Sequence, residues 1–170
     1  MRRFGLIGKN ISYSFSKAYF TEKFARGQMP DCSYENFDLA DISEINRVMK
    51  IHDLKGLNVT IPYKEQIIPY LDSLDEMAEQ IGAVNTLAPL PGGKWKGYNT
   101  DYIGFITSVQ PLLDDEVRAA LILGTGGASK AIAFALQSLG IESRYVSRNP
   151  DNKQLSYQVL DEKVFRDYRL

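Results

Sequence analysis

Short apolar runs rich in β-branched and aromatic residues alternate with longer segments of helical spacing over the first part of the chain. The short runs at residues 4–8, 34–39 and 57–61 predict strands, and Pro62 should end the last of them. Apolar positions that recur every three or four residues predict helices between these strands. This alternation is typical of an α/β layer.

The first predicted helix covers residues 17–26. Ser16 is expected to cap it, and Gly27 is expected to end it in the left-handed conformation. A second helix should open at Asp41 or Ser43. The buried side of the first helix is expected to carry the aromatic residues Tyr19, Phe20 and Phe24.

A third helical stretch begins at Tyr63, and a short helix at residues 75–81 should stop at Gly82. Beyond it, the turn signal Pro91-Gly92-Gly93 separates two strand-like runs, as in a β-hairpin. These runs cover residues 83–88 and 95–98.

The second part of the chain opens with a connecting helix at residues 101–113, and the acidic residues 114–116 are the expected linker. A strand, a glycine loop, a helix and a second strand follow, which is the opening of a Rossmann-type dinucleotide-binding fold. Their expected bounds are residues 119–123, 124–127, 128–139 and 141–147.

Few strands of this second domain are legible. The complete fold has about six strands. The sequence pattern predicts two strands before Leu170, and residues 167–170 resemble the segment that precedes a third strand. Two strands alone would leave an unprotected sheet edge. We therefore expect a truncated chain with a three-layer α/β substrate-binding domain at residues 1–101, a connecting helix and linker at 102–116, and the start of a Rossmann-type domain at 117–170.

Composition disfavours several classes of partner. Twenty Lys and Arg against 21 Asp and Glu leave a net charge of −1, so no overall basic field is available for nucleic acid or an anionic membrane. No apolar run approaches the roughly 20 residues of a membrane helix. Cys32 is the one cysteine and no signal-like apolar stretch follows Met1, so a reducing cytoplasm is expected. No metal site is expected, and His52, without ligand spacing, is read as structural or surface.

The glycine loop at residues 124–130 reads GTGGASK. Its glycines let the backbone approach a pyrophosphate, which the amides and dipole of the following helix would hold. Lys130 lacks the preceding glycine and the following Ser or Thr of an NTPase phosphate loop. Because Ser129 occupies the third glycine position, a plain strand-to-helix turn stays open as the alternative.

Ser147 and Arg148 end the second strand of this domain, where NAD-preferring folds place Asp or Glu. Arginine suits a 2'-phosphate through a forked, charge-assisted hydrogen bond. NADPH is therefore the favoured cofactor, and an ordinary surface arginine near Asp151 is the alternative.

Polar residues follow the predicted strands of the first domain. Ser14 and Ser16 can bind a carboxylate together, although capping by Ser16 alone explains them as well. Lys64 can hydrogen-bond an oxygen undergoing reduction, or be a solvated lysine at a helix start. Asp101 can hold the Lys64 ammonium and tune its pKa, or simply cap the next helix.

Taken in order, these motifs resemble those of the shikimate dehydrogenases over essentially the whole chain. The segments that carry the resemblance are SFSK at residues 14–17, NVTIPYKE at 58–65, GAVNT at 82–86, GYNTDYIGF at 97–105 and GTGGASKA at 124–131. Together they are far more specific than any one of them.

The resemblance implies an NADPH-dependent, reversible reduction of 3-dehydroshikimate to shikimate, on the route to chorismate and the aromatic amino acids. It implies Lys64 and Asp101 as the catalytic pair. The implied substrate contacts are Ser14, Ser16, Thr60, Asn85 and Asn99, and the implied cofactor contacts are Gly124, Gly126, Gly127 and Ala128, together with Ser147 and Arg148.

The chain departs from the family in two respects. The family often has Asn-Arg-Thr after the second cofactor strand, whereas this chain has Ser147-Arg148-Asn149 and so retains the arginine. A carboxy-terminal portion, which in relatives completes the nucleotide sheet and supplies a substrate-binding glutamine, is expected to be missing. The alternatives are a quinate/shikimate dehydrogenase that uses NAD and a fragment without turnover. The expected partner is a small molecule, and a homodimer is left open.

Overall fold

The computed structural model describes residues 1–114 and 116–170. The chain divides into two compact units, Met1–Asn99 and Thr100–Leu170. Asp115, which belongs to the expected linker, lies outside the described residues.

The first unit is built on a six-stranded sheet. Its strands are β1 (Arg2–Gly8), β2 (Cys32–Asp38), β3 (Leu54–Val59), β4 (Ser73–Leu74), β5 (Thr86–Leu90) and β6 (Lys94–Tyr98). They are ordered β2-β1-β3-β5-β6-β4, with β1 parallel to both β2 and β3 and with β5 antiparallel to β3 and β6. The predicted strands and hairpin are confirmed, but β3 already ends at Val59, before Ile61 and Pro62, and β5 begins at Thr86 rather than at residue 83. The two-residue strand β4 was not predicted.

Helices cover both faces of this sheet, which confirms the predicted three layers. Leu6 of β1 packs with Tyr34 and with the partly buried Phe20 and Phe24 of the first helix. The adjacent residue Ile7 points to the other face and joins the main core, with residues of the three short helices. The helices are α1 (Ser16–Arg26), α2 (Ile45–Val48), α3 (Tyr63–Gln66) and α4 (Glu76–Ile81).

The ends of α1 differ from the expectation. Phe15 holds the cap position without a side-chain hydrogen bond and Ser16 is the first helical residue, so the predicted Ser16 cap is wrong. Gly27 has a φ of −78°, and the left-handed residue is Gln28 at 53°. The helix begins one residue earlier than expected and ends at Arg26, as predicted. The Met29 amide donates to the Phe24 carbonyl at 2.9 Å, as in a Schellman ending.

Three other predicted details of the helices meet different outcomes. Tyr19 is 46% exposed rather than buried, and its ring meets Phe20 edge-on. Gly82 does end α4 in the left-handed conformation, with a φ of 69°, as predicted. Asp41 caps a 3-10 turn just before α2 and forms a capping box with Glu44.

Tyr63 fastens α3 to the core. Its side chain is 2% exposed, and its hydroxyl donates to the Leu39 carbonyl at 2.7 Å. Burial raises the pKa of Tyr63, so the phenol stays a donor at neutral pH.

Tyr63→Phe should lower the free energy of unfolding by about 1–3 kcal/mol, because the buried Leu39 carbonyl loses this donor. Urea denaturation measures the change, with Tyr19→Phe on the exposed face of α1 as the control that should alter it little. Equal unfolding midpoints for Tyr63→Phe and the wild type would contradict the expectation.

The second unit contains a three-stranded parallel sheet. Its strands are β7 (Ala119–Leu123), β8 (Glu142–Ser147) and β9 (Leu155–Ser156), in that order, and its helices are α5 (Asp101–Val109), α6 (Gly127–Ser138) and α7 (Glu162–Asp167). The core is formed by Ala120, Ile122, Leu136 and Ile141, against which Phe105 of α5 packs. The predicted strand, glycine loop, helix and strand are therefore confirmed.

The third strand of this unit is not where the sequence placed it. β9 comes before α7, whereas residues 167–170 were expected to lead into the third strand. The carbonyl of Leu170 instead accepts a hydrogen bond from the Leu121 amide of β7 at 2.8 Å. A strand of two residues has no period that a sequence pattern could reveal.

Candidate functional site

One edge of the first unit's sheet carries most of the predicted site residues. Because β1 and β3 are parallel, their carboxyl ends lie at the same edge. The antiparallel strand β5 begins at this edge and β6 ends there, since Thr86 pairs with both Asn58 and Tyr98. Open α/β sheets bind ligands at the carboxyl ends of their parallel strands.

Backbone hydrogen bonds hold the neighbouring strand ends together at this edge. The Val59 amide donates to the Asn85 carbonyl at 2.8 Å, and the Asn85 amide donates to the Tyr98 carbonyl at 3.0 Å. Thr60 follows Val59 directly, and Asn99 follows Tyr98. The structure therefore brings Thr60, Asn85 and Asn99 to adjacent positions.

Both asparagine side chains at this edge are buried and held by hydrogen bonds. Asn85 is 9% exposed, and its Oδ1 accepts from the Thr86 hydroxyl at 3.0 Å. Asn99 is 3% exposed, and its Nδ2 donates to the Ala83 carbonyl at 2.9 Å. Their carboxamides thus have defined orientations, as side chains that recognise a ligand need.

Lys64 lies on α3, the helix that follows β3 in the chain. The helix is fixed by its buried neighbours Tyr63 and Ile67, and the Lys64 side chain is half-buried. The Lys64 carbonyl accepts from the Val84 amide at 2.7 Å, next to Asn85 in the chain. The backbone of Lys64 therefore lies beside the start of β5.

Asp101 belongs to the second unit and is the first residue of α5. The cap position of that helix is held by Thr100, without a side-chain hydrogen bond, so the alternative role of Asp101 as a simple N-cap is wrong. The pairing of Asp101 with Lys64 stays a prediction.

Ser14 and Ser16 lie in the connection from β1 to α1, and their hydroxyls are adjacent. The Ser14 hydroxyl donates to the Ser16 hydroxyl at 3.2 Å and accepts from the Ser16 amide at 3.3 Å. Since Ser16 does not cap α1, the alternative that explained both serines by capping is wrong. Two half-buried hydroxyls at the start of an uncapped helix of 11 residues suit a carboxylate.

In the second unit, the glycine loop connects β7 to α6. Gly124 has a φ of 122°, which a residue with a side chain rarely adopts, and its amide donates to the Val146 carbonyl at 2.9 Å. Apart from Gly126 itself and its two chain neighbours, no described heavy atom lies within 4 Å of the point where a Cβ on Gly126 would stand, so the backbone there is open to a ligand.

The start of α6 fits an anionic group. This helix of 12 residues begins at Gly127, and no side chain caps it. Ala128 is exposed in its first turn. Ser129, at the third glycine position of the pattern, turns its hydroxyl back to the Gly126 carbonyl at 2.6 Å and so leaves the loop backbone open. The amides and dipole of the helix start can hold a pyrophosphate.

Arg148 follows the end of β8, beside the glycine loop, and is exposed. The Ser147 hydroxyl accepts from the Asn149 amide at 3.2 Å and so shapes the turn. The carboxylate of Asp151 accepts from the Lys153 amide at 2.8 Å and from the Gln154 side chain at 2.9 Å. Asp151 is thus engaged within its own turn, and within residues 116–170 the structure shows no ion pair between it and Arg148.

The remaining expectations concern metal and membrane. Among residues 1–114 and 116–170, no three or more His, Cys, Asp or Glu side chains are grouped so that they could hold a metal ion. The His52 side chain is 94% exposed and meets only Asp53 among the ion pairs of the described chain. In the same part of the chain, no helix has both the length and the apolar character needed to cross a bilayer.

Comparison with known proteins gives a consistent match. Residues 6–87 match the family model of the shikimate dehydrogenase substrate binding domain. The NADP(+) shikimate dehydrogenase of Clostridium botulinum is 42% identical over 159 residues, which are 91% of this chain and 60% of that protein. The corresponding enzyme of Caldanaerobacter subterraneus is 44% identical over 153 residues, 88% of this chain and 54% of that protein.

Solved structures give the same match. Shikimate dehydrogenase 1 from Peptoclostridium difficile superposes with a TM-score of 0.81 and 39% identity over 91% of this chain and 58% of that one. The Thermus thermophilus enzyme, crystallised in complex with NADP(H) and shikimate, gives a TM-score of 0.77 and 33% identity over 88% of this chain and 57% of that one. The chain spans between 50% and 60% of the length of the curated relatives that it matches.

Proposed function

Because residues 6–87 match the family model of the shikimate dehydrogenase substrate binding domain, we propose that the protein carrying this chain belongs to that family and reduces 3-dehydroshikimate reversibly to shikimate with NADPH. The observation that carries this proposal is the gathering of Thr60, Asn85, Asn99 and the Lys64 backbone at the sheet edge where β1 and β3 end. The connection that bears both serines leaves β1 at the same edge.

The proposed substrate presents a carboxylate and ring hydroxyls. The adjacent hydroxyls of Ser14 and Ser16, together with the amides at the start of α1, provide hydrogen-bond donors to the carboxylate. Thr60, Asn85 and Asn99 bind hydroxyl groups along the ring. These contacts fix the ring with its reacting carbonyl toward Lys64.

Lys64 is the proposed proton donor in the direction of reduction. Negative charge develops on the carbonyl oxygen as the carbon is reduced, and a positioned ammonium neutralises it by giving up a proton. Asp101 orients this ammonium and accepts a hydrogen bond from the substrate. Both interactions are stronger in the transition state than in the ground state, so they raise turnover.

The second unit is the proposed cofactor site. When bound, NADPH supplies the reducing equivalent to the carbonyl carbon. The glycine loop fits the pyrophosphate because its backbone is open at Gly126 and α6 begins uncapped. Gly124, Gly127 and Ala128 complete this loop, and Ser147 shapes the turn beside it. Arg148, exposed directly after β8, is the proposed ligand of the 2'-phosphate.

The cell compartment and assembly state belong to the same proposal. A cytoplasmic location suits the unpaired state of Cys32, the one cysteine of these 170 residues. The mass of the protein in solution tests whether it is a homodimer.

Removing hydroxyls that hold the substrate away from the reacting carbonyl should raise KM rather than lower kcat. For Ser14→Ala and Thr60→Ala we expect KM for shikimate to rise about 5- to 30-fold, because each variant loses a hydrogen bond to the bound substrate. Steady-state kinetics measures both constants.

The matched control for these variants is Thr21→Ala. It removes an exposed hydroxyl of α1 that donates to the Lys17 carbonyl at 2.8 Å, and it should leave both constants unchanged. If Ser14→Ala or Thr60→Ala lowered kcat while KM stayed at the wild-type value, their proposed role would be wrong.

A further inference from the structure

A row of side-chain hydrogen bonds crosses the sheet of the first unit and ends at Asn85. The Tyr34 hydroxyl donates to Asn58 Oδ1 at 2.9 Å, and Asn58 Nδ2 donates to the Thr86 hydroxyl at 3.5 Å. The Thr86 hydroxyl in turn donates to Asn85 Oδ1 at 3.0 Å. All three bonds run in one direction, so each polarises the next.

The alternation of side chains along β3 places Asn58 in this row. Leu57 and Val59 are both 2% exposed and face the main core, so Asn58 between them faces the α1 side of the sheet. Asn58 is directly opposite Thr86 in the antiparallel pair of β3 and β5. Tyr34 stands on β2 and reaches Asn58 across the intervening strand β1.

The Tyr34 ring is held firmly where the row begins. It is 5% exposed and stacks on Phe20 with ring centroids 4.5 Å apart and planes 11° from parallel. Burial raises the pKa of Tyr34 to about 12. Its hydroxyl therefore remains a hydrogen-bond donor throughout the range in which the enzyme would work.

The direction of the row determines how the carboxamide of Asn85 is oriented. Because the Tyr34 hydroxyl requires an acceptor, the oxygen of Asn58 turns toward Tyr34 and its nitrogen toward Thr86. The Thr86 hydroxyl then accepts from Asn58 and directs its own proton at the oxygen of Asn85. The oxygen and the NH2 group of the Asn85 carboxamide have nearly the same shape. Without the Thr86 donor, the position that faces Thr86 no longer favours the oxygen over the nitrogen.

We propose that Tyr34 is a positioning residue for the substrate site, acting through Asn58 and Thr86 to orient the carboxamide of Asn85. The inference rests on the proposed function, in which Asn85 binds a ring hydroxyl of shikimate. Tyr34 and Thr86 themselves need not touch the substrate. The row of hydrogen bonds preorganises the Asn85 amide. Breaking the row therefore weakens substrate binding more than it slows the chemical step.

The first test compares two substitutions of Thr86 in the enzyme that carries this chain. Thr86→Val keeps the shape and removes the hydroxyl, and it should raise KM for shikimate about 3- to 10-fold with little change in kcat, as expected for one hydrogen bond. Thr86→Ser retains the hydroxyl and should restore KM to near the wild-type value. Equal KM values for the valine and serine variants would overturn the proposal.

The second test asks whether Tyr34 acts through Thr86. Tyr34→Phe keeps the stacked ring and removes the hydroxyl, and it should raise KM for shikimate by about 3- to 10-fold, as Thr86→Val does. In the double variant Tyr34→Phe/Thr86→Val, KM should be no higher than in Thr86→Val alone, because the row is already broken. If Tyr34→Phe lowered only the unfolding midpoint and left KM unchanged, the residue would be merely structural. Tyr19→Phe is the control for loss of a phenol hydroxyl.

An NMR measurement keeps this test independent of turnover. The side-chain amide resonances of Asn85 should shift and broaden in Thr86→Val and in Tyr34→Phe but not in Tyr19→Phe, and unchanged resonances would overturn the inference. A wild-type enzyme that does not oxidise shikimate would overturn the proposed function instead. If the wild type is active and Tyr34→Phe changes neither KM nor the Asn85 resonances, only the role of Tyr34 would be overturned.

Discussion

Replacing Lys64 with alanine is expected to lower turnover by about 10²–10⁴-fold while changing KM for shikimate much less. The expected loss is large because no other donor is proposed to neutralise the charge that develops on the carbonyl oxygen. Substrate binding should be retained, since other residues are proposed to hold the carboxylate and the ring hydroxyls. Steady-state kinetics on the enzyme carrying this chain gives both constants.

Lys23→Ala is the matched control for this substitution. Lys23 is an exposed lysine of α1, and its ammonium lies 5.7 Å from the centre of the Tyr19 ring. Lys23→Ala removes one positive charge, as Lys64→Ala does. It should leave turnover unchanged. Near-normal turnover in Lys64→Ala would remove this lysine from the mechanism.

The proposed pairing of Lys64 with Asp101 is tested in the same series. If the two residues act as one unit, Asp101→Ala should also lower turnover, and the double variant should be little slower than the slower single variant. Independent contributions would instead multiply in the double variant.

Arg148→Ala is expected to weaken the binding of NADPH by about 1.5–3 kcal/mol, which is roughly 10- to 150-fold in Kd, and to leave NADH binding little changed. The selectivity follows from the 2'-phosphate, which NADH lacks. Arg148 is exposed beside the glycine loop, and the nearby carboxylate of Asp151 is engaged within its own turn. Fluorescence titration with each cofactor measures the two dissociation constants.

Arg144→Ala provides the control for this charge change. Arg144 is exposed on the same strand, β8, but lies before its end. Its removal should change the affinities for NADPH and NADH by small and similar amounts. Equal large losses for both cofactors in Arg148→Ala would mean that Arg148 does not select the 2'-phosphate.

The sequence predicted most of the fold because the apolar pattern is strong where the strands are buried. The five apolar residues of β7 predicted Ala119–Leu123 with the bounds that the structure has. Several errors lie at helix ends, where one residue more or less changes which side chain caps the helix. At α1, the helix begins one residue earlier than predicted, and the left-handed residue after its end is Gln28 rather than Gly27. Such boundaries depend on tertiary contacts as well as on local propensity.

Individual positions in the candidate site could be predicted, but their mutual support could not. Polar residues near the strand ends were visible from the pattern, and the parallel and antiparallel pairings then brought Thr60, Asn85 and Asn99 to one edge. The contact of Tyr34 with Asn58 joins residues 24 positions apart across a third strand. The polar Asn58 between apolar Leu57 and Val59 was the one local signal. It indicates that Asn58 lies on the opposite face of the sheet, but it does not identify the residue with which Asn58 forms a hydrogen bond.

The central claim is tested most directly by the initial rate at which the enzyme carrying this chain forms NADPH from shikimate and NADP+, followed by the absorbance of NADPH. The same measurement is made with quinate in place of shikimate and with NAD+ in place of NADP+. The account predicts that the pair of shikimate and NADP+ gives the highest kcat/KM of the four combinations. A higher value for quinate with NAD+, or shikimate turnover no faster than in the absence of enzyme, would contradict it.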